Sequence, residues 1–261
     1  MCTLTIIPID DGAGFRLVTN RDEQRDRPKA SPPRHRVLHG REWIWPEDGL
    51  AGGAWVGASE TGLALSILNL NFTPPRPLPA RSQLVSRGHI IPALAGCAGA
   101  DEALEALAAT SLDGFAPFRL VAADFARIGV ARWDRERLTI DRRPMAPLCL
   151  VSSGLGDDLV APRLALFDEF LAAHGATRRM QDEYHRHSWP GRAGISVMMS
   201  RQDARTVSTT FVEIVRAERR VAAEMRYTAD HESVLARLPA PARPVVEISP
   251  RTAAAAAGPA R

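Results

Sequence analysis

Cys2 can supply more chemistry than any other residue of this 261-residue chain. A small residue at position 2 lets methionine aminopeptidase remove Met1, and Cys2 would then carry a free α-amine beside its own thiol. The amine titrates near ~8 and the thiol near ~8.5, so one residue supplies both base and nucleophile at neutral pH. A second group stands at Asn20-Arg21-Asp22-Glu23, the polar end of the apolar run Phe15–Thr19. An arginine near a thiol lowers its pKa, and an aspartate can hold an ammonium group in place. Acyl transfer needs a nucleophile, a base, an oxyanion donor and groups to hold them. Cys2 and Asp22 fill part of that set, and either Arg21 or Arg205 could lower the thiol pKa or grip an anionic substrate group.

These groups require an element that brings position 2 to position 22. Thr3–Ile9 reads as a strand, residues 10–14 as a turn with two glycines, and Phe15–Thr19 as the returning strand. Antiparallel pairing then sets Cys2 across from residues 19–22. Neighbours on a strand face opposite ways, so Arg21 and Asp22 are expected on different faces.

Further along, residues 24–41 are rich in Arg and Pro and read as a loop, and Trp43–Pro46 as a short edge strand. Residues 49–53 form a turn, and 54–57 and 63–68 form strands, the second ending at Asn69. Helices are expected over 82–94, 100–110 and from Pro162 to about Gly175. Short strands fill 118–124, 129–133, 138–141 and 148–152, with another at 195–199. A closing hairpin pairs 206–215 with 220–227. The polar stretch 177–193 holds His185 and His187, but no third ligand stands at a metal-site spacing, so no metal is expected. Strands first, helices in the middle and strands last give an α+β layered fold. One domain is expected over residues 1–237, followed by a Pro/Ala-rich tail, 238–261, of low complexity.

Residue by residue the chain resembles the NRDE family, also called the transport-and-Golgi-organisation family. The resemblance rests on Met1-Cys2, Asn20-Arg21-Asp22-Glu23, Arg27-Pro28, Gly52-Gly53-Ala54-Trp55-Val56-Gly57, Gly62 with the strand ending at Asn69, Ser86-Arg87-Gly88, and Ala204-Arg205-Thr206 with Ser208-Thr209. It implies a four-layer αββα sandwich of the N-terminal nucleophile (Ntn) hydrolase type. By similarity to bile salt hydrolase and penicillin V acylase, it implies Cys2, Asp22, Asn69 and Arg205 as catalytic residues, with Asn69 donating to the oxyanion. Asn20, Arg21, Trp55 and Ser153 are expected to bind substrate, Ser153 standing where the pattern has an Asn. The implied activity is hydrolysis of a linear, non-peptide amide. The family is also implicated in haem movement and in lipid or acyl-CoA homeostasis, so the alternative is a haem or lipid carrier on the same fold. No cofactor is expected for the enzyme; haem would be a ligand under the alternative, yet no C-x-x-C-H attachment site occurs and no axial ligand stands out.

Composition narrows the classes further. A hydrophobic content of 45% supports a sizeable core. No apolar run reaches the ~20 residues of a membrane span, and the first residues lack the basic start of a signal peptide. Three cysteines without metal-type spacing fit a reducing compartment, and a cytoplasmic location is expected. Net charge is only +3 and arginine is interleaved with acids along the chain. There is no basic helix and no aromatic platform, so nucleic acid is not an expected partner.

Overall fold

Alternation along the first two strands sets the architecture. In Cys2–Ile9 (β1), Leu4 and Ile6 enter one apolar cluster while Ile7 and Ile9 enter another. The same happens in Gly14–Gln24 (β2), where Phe15 and Leu17 face the first cluster and Arg16 turns away to pair with Asp182 and Glu213. A strand buried on both faces must lie inside a stack of layers.

The computed structural model describes residues 2–217 and 220–239. After β2 come β3 (Ser31–Leu38), β4 (Arg41–Glu47), β5 (Val56–Ser59) and β6 (Ala64–Asn69), then helices α1 (Ile90–Ala93) and α2 (Ala100–Ala108). Strands β7 (Phe118–Ala123), β8 (Arg127–Trp133), β9 (Leu138–Pro144) and β10 (Leu148–Ser152) follow, then α3 (Pro162–His174) and α4 (Arg178–Arg186). The last three strands are β11 (Ala204–Ala217), β12 (Arg220–Ala229) and β13 (Glu232–Leu238).

Two antiparallel sheets result. One has the order β10-β1-β2-β11-β12-β13, the other β3-β4-β5-β6-β7-β8-β9. Helices α3 and α4 pack on β10, β1 and β2; α1 and α2 pack on β6, β7 and β8. The fold is therefore the expected α+β sandwich, with helices outside two facing sheets. Leu4, Leu17, Val56, Leu65 and Val212 belong to the apolar cluster that joins the sheets, and Ile7, Ile9, Phe167 and Met180 to the cluster under α3 and α4. Full burial of each such side chain contributes about 1.5–3 kcal/mol. No helix among the described residues is long and apolar enough to cross a membrane.

The β1–β2 hairpin, α2 and α3 lie where the sequence predicts them. Elsewhere the structure corrects the reading. Residues 31–38, read as loop, are a strand. It sits at the edge of its sheet, where Pro32 and Pro33 sacrifice no inner ladder bond, and its register shifts between Ser31 and Arg34. The tryptophan strand β4 is inner, not an edge. The stretch 177–193 contains α4, capped by Thr177, whose side chain accepts the Met180 N–H. Residues 195–199 form no strand; an isolated bridge to Arg205 follows them at Ser200. The 82–94 helix is reduced to short turns and α1. Strand β13 extends the closing hairpin into a three-stranded meander. Of the expected tail, residues 240–261 lie outside the described residues.

Candidate active site

The hairpin register carries the site. Cys2 pairs with Arg21 on one side and with Ser152 of β10 on the other. Directly opposed residues share a face, so Cys2 and Arg21 both point towards the second sheet. Asp22 points the other way, to the helix layer, as the alternation predicts. A cleft of about 980 Å³ opens at this end of the sandwich, and Cys2, Arg21, Asp22, Trp55 and Asn69 all line it.

Each of these side chains is held differently. Arg21 is buried, its guanidinium 4.5 Å above the Trp55 ring and hydrogen-bonded to Asp48. Arg27 joins the same carboxylate at 2.8 and 3.0 Å. Burial works to raise the Asp48 pKa, but the Arg27 bonds, the Ala51 N–H and the charge of Arg21 hold it below the usual carboxylate range. Asp22 accepts a hydrogen bond from the Thr206 hydroxyl at 2.5 Å and pairs with Arg163 at 3.4 Å. Arg163, from α3, is wholly buried and also donates to the Thr3 hydroxyl (2.8 Å) and the Ile195 carbonyl (2.9 Å). Asn69 stands at the last residue of β6, and its side-chain amide has no hydrogen-bond partner among the described residues, which leaves it available to the cleft.

The electrostatics correct one expectation. Burial pushes the Cys2 thiol up, and the Asp22 carboxylate adds to this. The charge of the amino terminus, the Asp22 backbone N–H and the Arg21 charge pull the other way without overcoming burial. The thiol is therefore not activated by a neighbouring arginine and needs a base to take its proton. Burial also raises Cys97, and pushes Cys149 up to about 12.

Three expected site residues lie elsewhere. Arg205 pairs with Asp230 at 2.8 Å and lines a separate cavity of about 370 Å³. A register shift between Thr206 and Ser208 accompanies its position on β11, where it sits opposite Glu23 rather than near Cys2. Asn20 is fully buried under the hairpin and does not reach the cleft. It donates to the carbonyls of His185 (2.9 Å) and Val197 (3.0 Å), and its carbonyl oxygen accepts from Thr209 at 3.0 Å. Ser153 is buried in a turn, where its hydroxyl accepts the Leu155 N–H at 3.2 Å. The neighbouring side chain that faces the cleft is Asn71, whose amide donates to Ser152 and Asp157, both at 3.1 Å.

Sequence reasoning missed two participants. Arg163 carried no signal, because a lone arginine on an amphipathic helix reads as solvent-facing. Arg87 stood inside the Ser86-Arg87-Gly88 element but was given no role; it lines the cleft. Several exposed apolar side chains, Leu50, Leu78, Val85 and Leu155, rim the same opening. His185 makes no metal site: its ring nitrogens meet Thr5 (2.7 Å) and Asn20 (3.1 Å). No cluster of three potential metal ligands occurs among the described residues.

Comparison with known proteins agrees with this picture. Solved structures that resemble the chain include penicillin V acylase from Agrobacterium tumefaciens, with TM-score 0.56 and 10% identity over 91% of this chain and 85% of that one. The Caenorhabditis elegans ortholog of N-acylethanolamine-hydrolyzing acid amidase gives TM-score 0.54 and 15% identity over 80% and 92%. A C2A mutant of the conjugated bile acid hydrolase from Clostridium perfringens gives TM-score 0.54 and 10% identity over 95% and 96%. At these identities the likeness is one of fold, that of Ntn hydrolases. No curated protein sequence matches the chain. Residues 1–159 match the model of the family Transport and Golgi organisation 2, and the chain belongs to that family.

Proposed function

We propose that this member of the Transport and Golgi organisation 2 family is a cysteine hydrolase of non-peptide amide bonds, with Cys2 as its N-terminal nucleophile after removal of Met1. The observation that carries the reading is the shared cleft: Cys2, the Asn69 amide, uncommitted among the described residues, and Asp22, whose carboxylate is anchored on the helix side, all line one opening. A buried, neutral thiol beside a free α-amine is the pairing in which the amine can act as base.

The steps follow from those groups. The α-amine takes the thiol proton as sulfur attacks the carbonyl carbon. The Asp22 carboxylate, itself fixed by Thr206 and Arg163, stabilises the ammonium so formed. Asn69 donates to the oxyanion, a contribution of about 3–4 kcal/mol for donors of this kind. Collapse breaks the C–N bond, and the ammonium returns its proton to the leaving amine. Water then attacks the thioester with the same amine as base, releasing the acid and restoring the thiol. The apolar rim of Leu50, Leu78, Val85 and Leu155 supports an apolar acyl group. The neighbouring folds carry the names acylase, amidase and hydrolase, which supports the same reaction class. For a haem carrier, Cys2 is the only candidate axial ligand among the described cleft residues, since neither His, Met nor Tyr lines it.

A panel of N-acyl amides assayed with untagged wild type and Cys2→Ala tests the reading. Expected is turnover in wild type, at least ~10³-fold lost in Cys2→Ala with substrate affinity retained, and an intact mass lacking Met1. Asn69→Ala should lower kcat ~10²–10³-fold with little change in binding. Turnover by protein that keeps Met1, or equal turnover by Cys2→Ala, would sink it.

A further inference from the structure

The charges around the cleft are unequally matched. Arg21 and Arg27 share Asp48 and Glu23. Arg201 is paired with Asp203. Asp22 is taken by Arg163 and Thr206. Thus the acids lining the cleft already have cationic partners. Two arginines of the lining pair with no carboxylate among the described residues: Arg81, which is exposed, and Arg87, which is half-buried in the cleft wall. Among the described residues Arg87 makes one hydrogen bond, from Nη1 to the Pro117 carbonyl at 2.9 Å. A guanidinium has five N–H donors, and leaving charge partly desolvated without a counterion is costly.

Arg87 is also held rigidly. The Ser86 hydroxyl accepts the Gly88 N–H, and the Gly88 carbonyl accepts the Ala54 N–H at 2.9 Å. The two backbones meet so closely that a Cβ at Gly53 would lie 2.5 Å from the Gly88 carbonyl carbon. This turn fixes Arg87 against the strand end that carries Trp55. A preorganised guanidinium with a free edge matches two oxygens of a planar or tetrahedral oxyanion. Burial lowers the Arg87 pKa, and the charges of a Cys2 thiolate and of Glu23 act in the opposite sense.

The geometry points to Arg87 as an anion subsite: the molecule that reaches Cys2 carries a carboxylate or phosphate group that docks on this guanidinium. The inference deepens the hydrolase reading and rests on the same cleft. It narrows the substrate class to amides with an apolar acyl part and an anionic group.

Alkylation of Cys2 tests it without knowledge of the substrate. Iodoacetate and iodoacetamide differ in charge and little in size, and their rate ratio at one thiol cancels any change in thiol pKa. Peptide mapping separates Cys2 from Cys97 and Cys149. Expected at Cys2 is a rate that saturates with iodoacetate but stays linear with iodoacetamide, and an iodoacetate preference about ten-fold above that of a free cysteine derivative. Arg87→Gln should abolish saturation and preference together. Arg87→Lys keeps the charge but not the fork, and should weaken saturation several-fold even if the Gln variant does not fold. Protection by acetate marks a carboxylate subsite, and protection by inorganic phosphate alone a phosphate subsite. Linear kinetics with iodoacetate, a preference untouched by both variants, or no protection by either anion would overturn the proposal. Hydrolysis of amides without an iodoacetate preference sinks this inference alone, and the preference without hydrolysis of any amide sinks the hydrolase reading alone.

Discussion

The two faces of the β1–β2 hairpin are made of the same strands and do opposite things with polar groups. On the helix side, Asn20, Thr5, Gln181, His185, Arg16 and Asp182 form a buried network in which each is hydrogen-bonded to at least one other. On the cleft side, among the described residues, the Asn69 amide and most of the Arg87 donors are uncommitted, and the buried Trp55 Nε1 has no partner. A network whose members bond one another fixes a structure; uncommitted donors in a cleft are what a ligand can use. The step from one role to the other is a single residue. Asn20 serves the helix side and Arg21 the cleft, while Asp22 is anchored on the helix side and also lines the cleft, so consecutive positions of one motif should give different phenotypes.

The largest effect should come from Arg163→Met. It strips Asp22 of its buried cation and should cost about 3–5 kcal/mol, read as a lowered urea midpoint with an unchanged m-value. An effect below ~1 kcal/mol would mean that Asp22 is not held as a buried ion by α3. Asn20→Ala comes next. It leaves the carbonyls of His185 and Val197 without donors in a closed interior, a loss of about 2–4 kcal/mol. If the faces are truly separate, the surviving folded fraction should keep its Cys2 alkylation ratio. A changed ratio would show that the helix face reaches into the cleft.

Much of this division was legible in the sequence. Strand lengths and the two-glycine turn gave the hairpin and set Cys2 across from residues 19–22, and strand geometry gave the opposite facing of Arg21 and Asp22; the exact Cys2–Arg21 register came only with the structure. What escaped has physical causes. Helix α4 hides because its buried face carries Gln181 and His185 beside Met180 and Tyr184, so the apolar period is broken by residues that are buried through hydrogen bonding. Strand β3 hides behind Pro32 and Pro33, which are tolerated only because its outer side has no partner strand. Asn20, expected from the resemblance to bind substrate, is buried instead through hydrogen bonds to distant residues that no local pattern shows. Arg205 was misplaced because its position depends on an irregularity in β11 that no local pattern announces.

The helix-side network also predicts a pH dependence. Burial pushes the His185 pKa well below its ordinary range, and the charges of Arg16 and Arg163 act the same way. In the unfolded chain the ring titrates near ~6.5. Below that pH the unfolded state binds a proton that the folded state refuses, so stability falls as pH falls, by about 1.4 kcal/mol per unit. The carboxyls held low, Asp48 and Asp230 among them, titrate below this window and leave it clean. Urea melts at pH 7.5 and 5.5 should show the loss in wild type and not in His185→Gln, once that variant's own lower stability is subtracted. Equal slopes would remove His185 from the network's electrostatics.

The smallest effect is the one that most sharply divides the two cavities. Arg205 holds Asp230 at 2.8 Å beside Lys29, with both sides of the pair in contact with solvent. An exposed pair of this kind contributes no more than about 0.5 kcal/mol, so Arg205→Ala should scarcely move the urea midpoint. Its value lies in kinetics. If Arg205 served the nucleophile, its loss would slow alkylation of Cys2 and any amide turnover by ten-fold or more, as removal of a group acting on the transition state does. With its guanidinium committed to the smaller cavity, both rates should stay within about two-fold of wild type, while Arg87→Gln changes the iodoacetate ratio. A large loss in Arg205→Ala would instead mean that the two cavities join when substrate binds, with Arg21, which lines both, as the wall that moves.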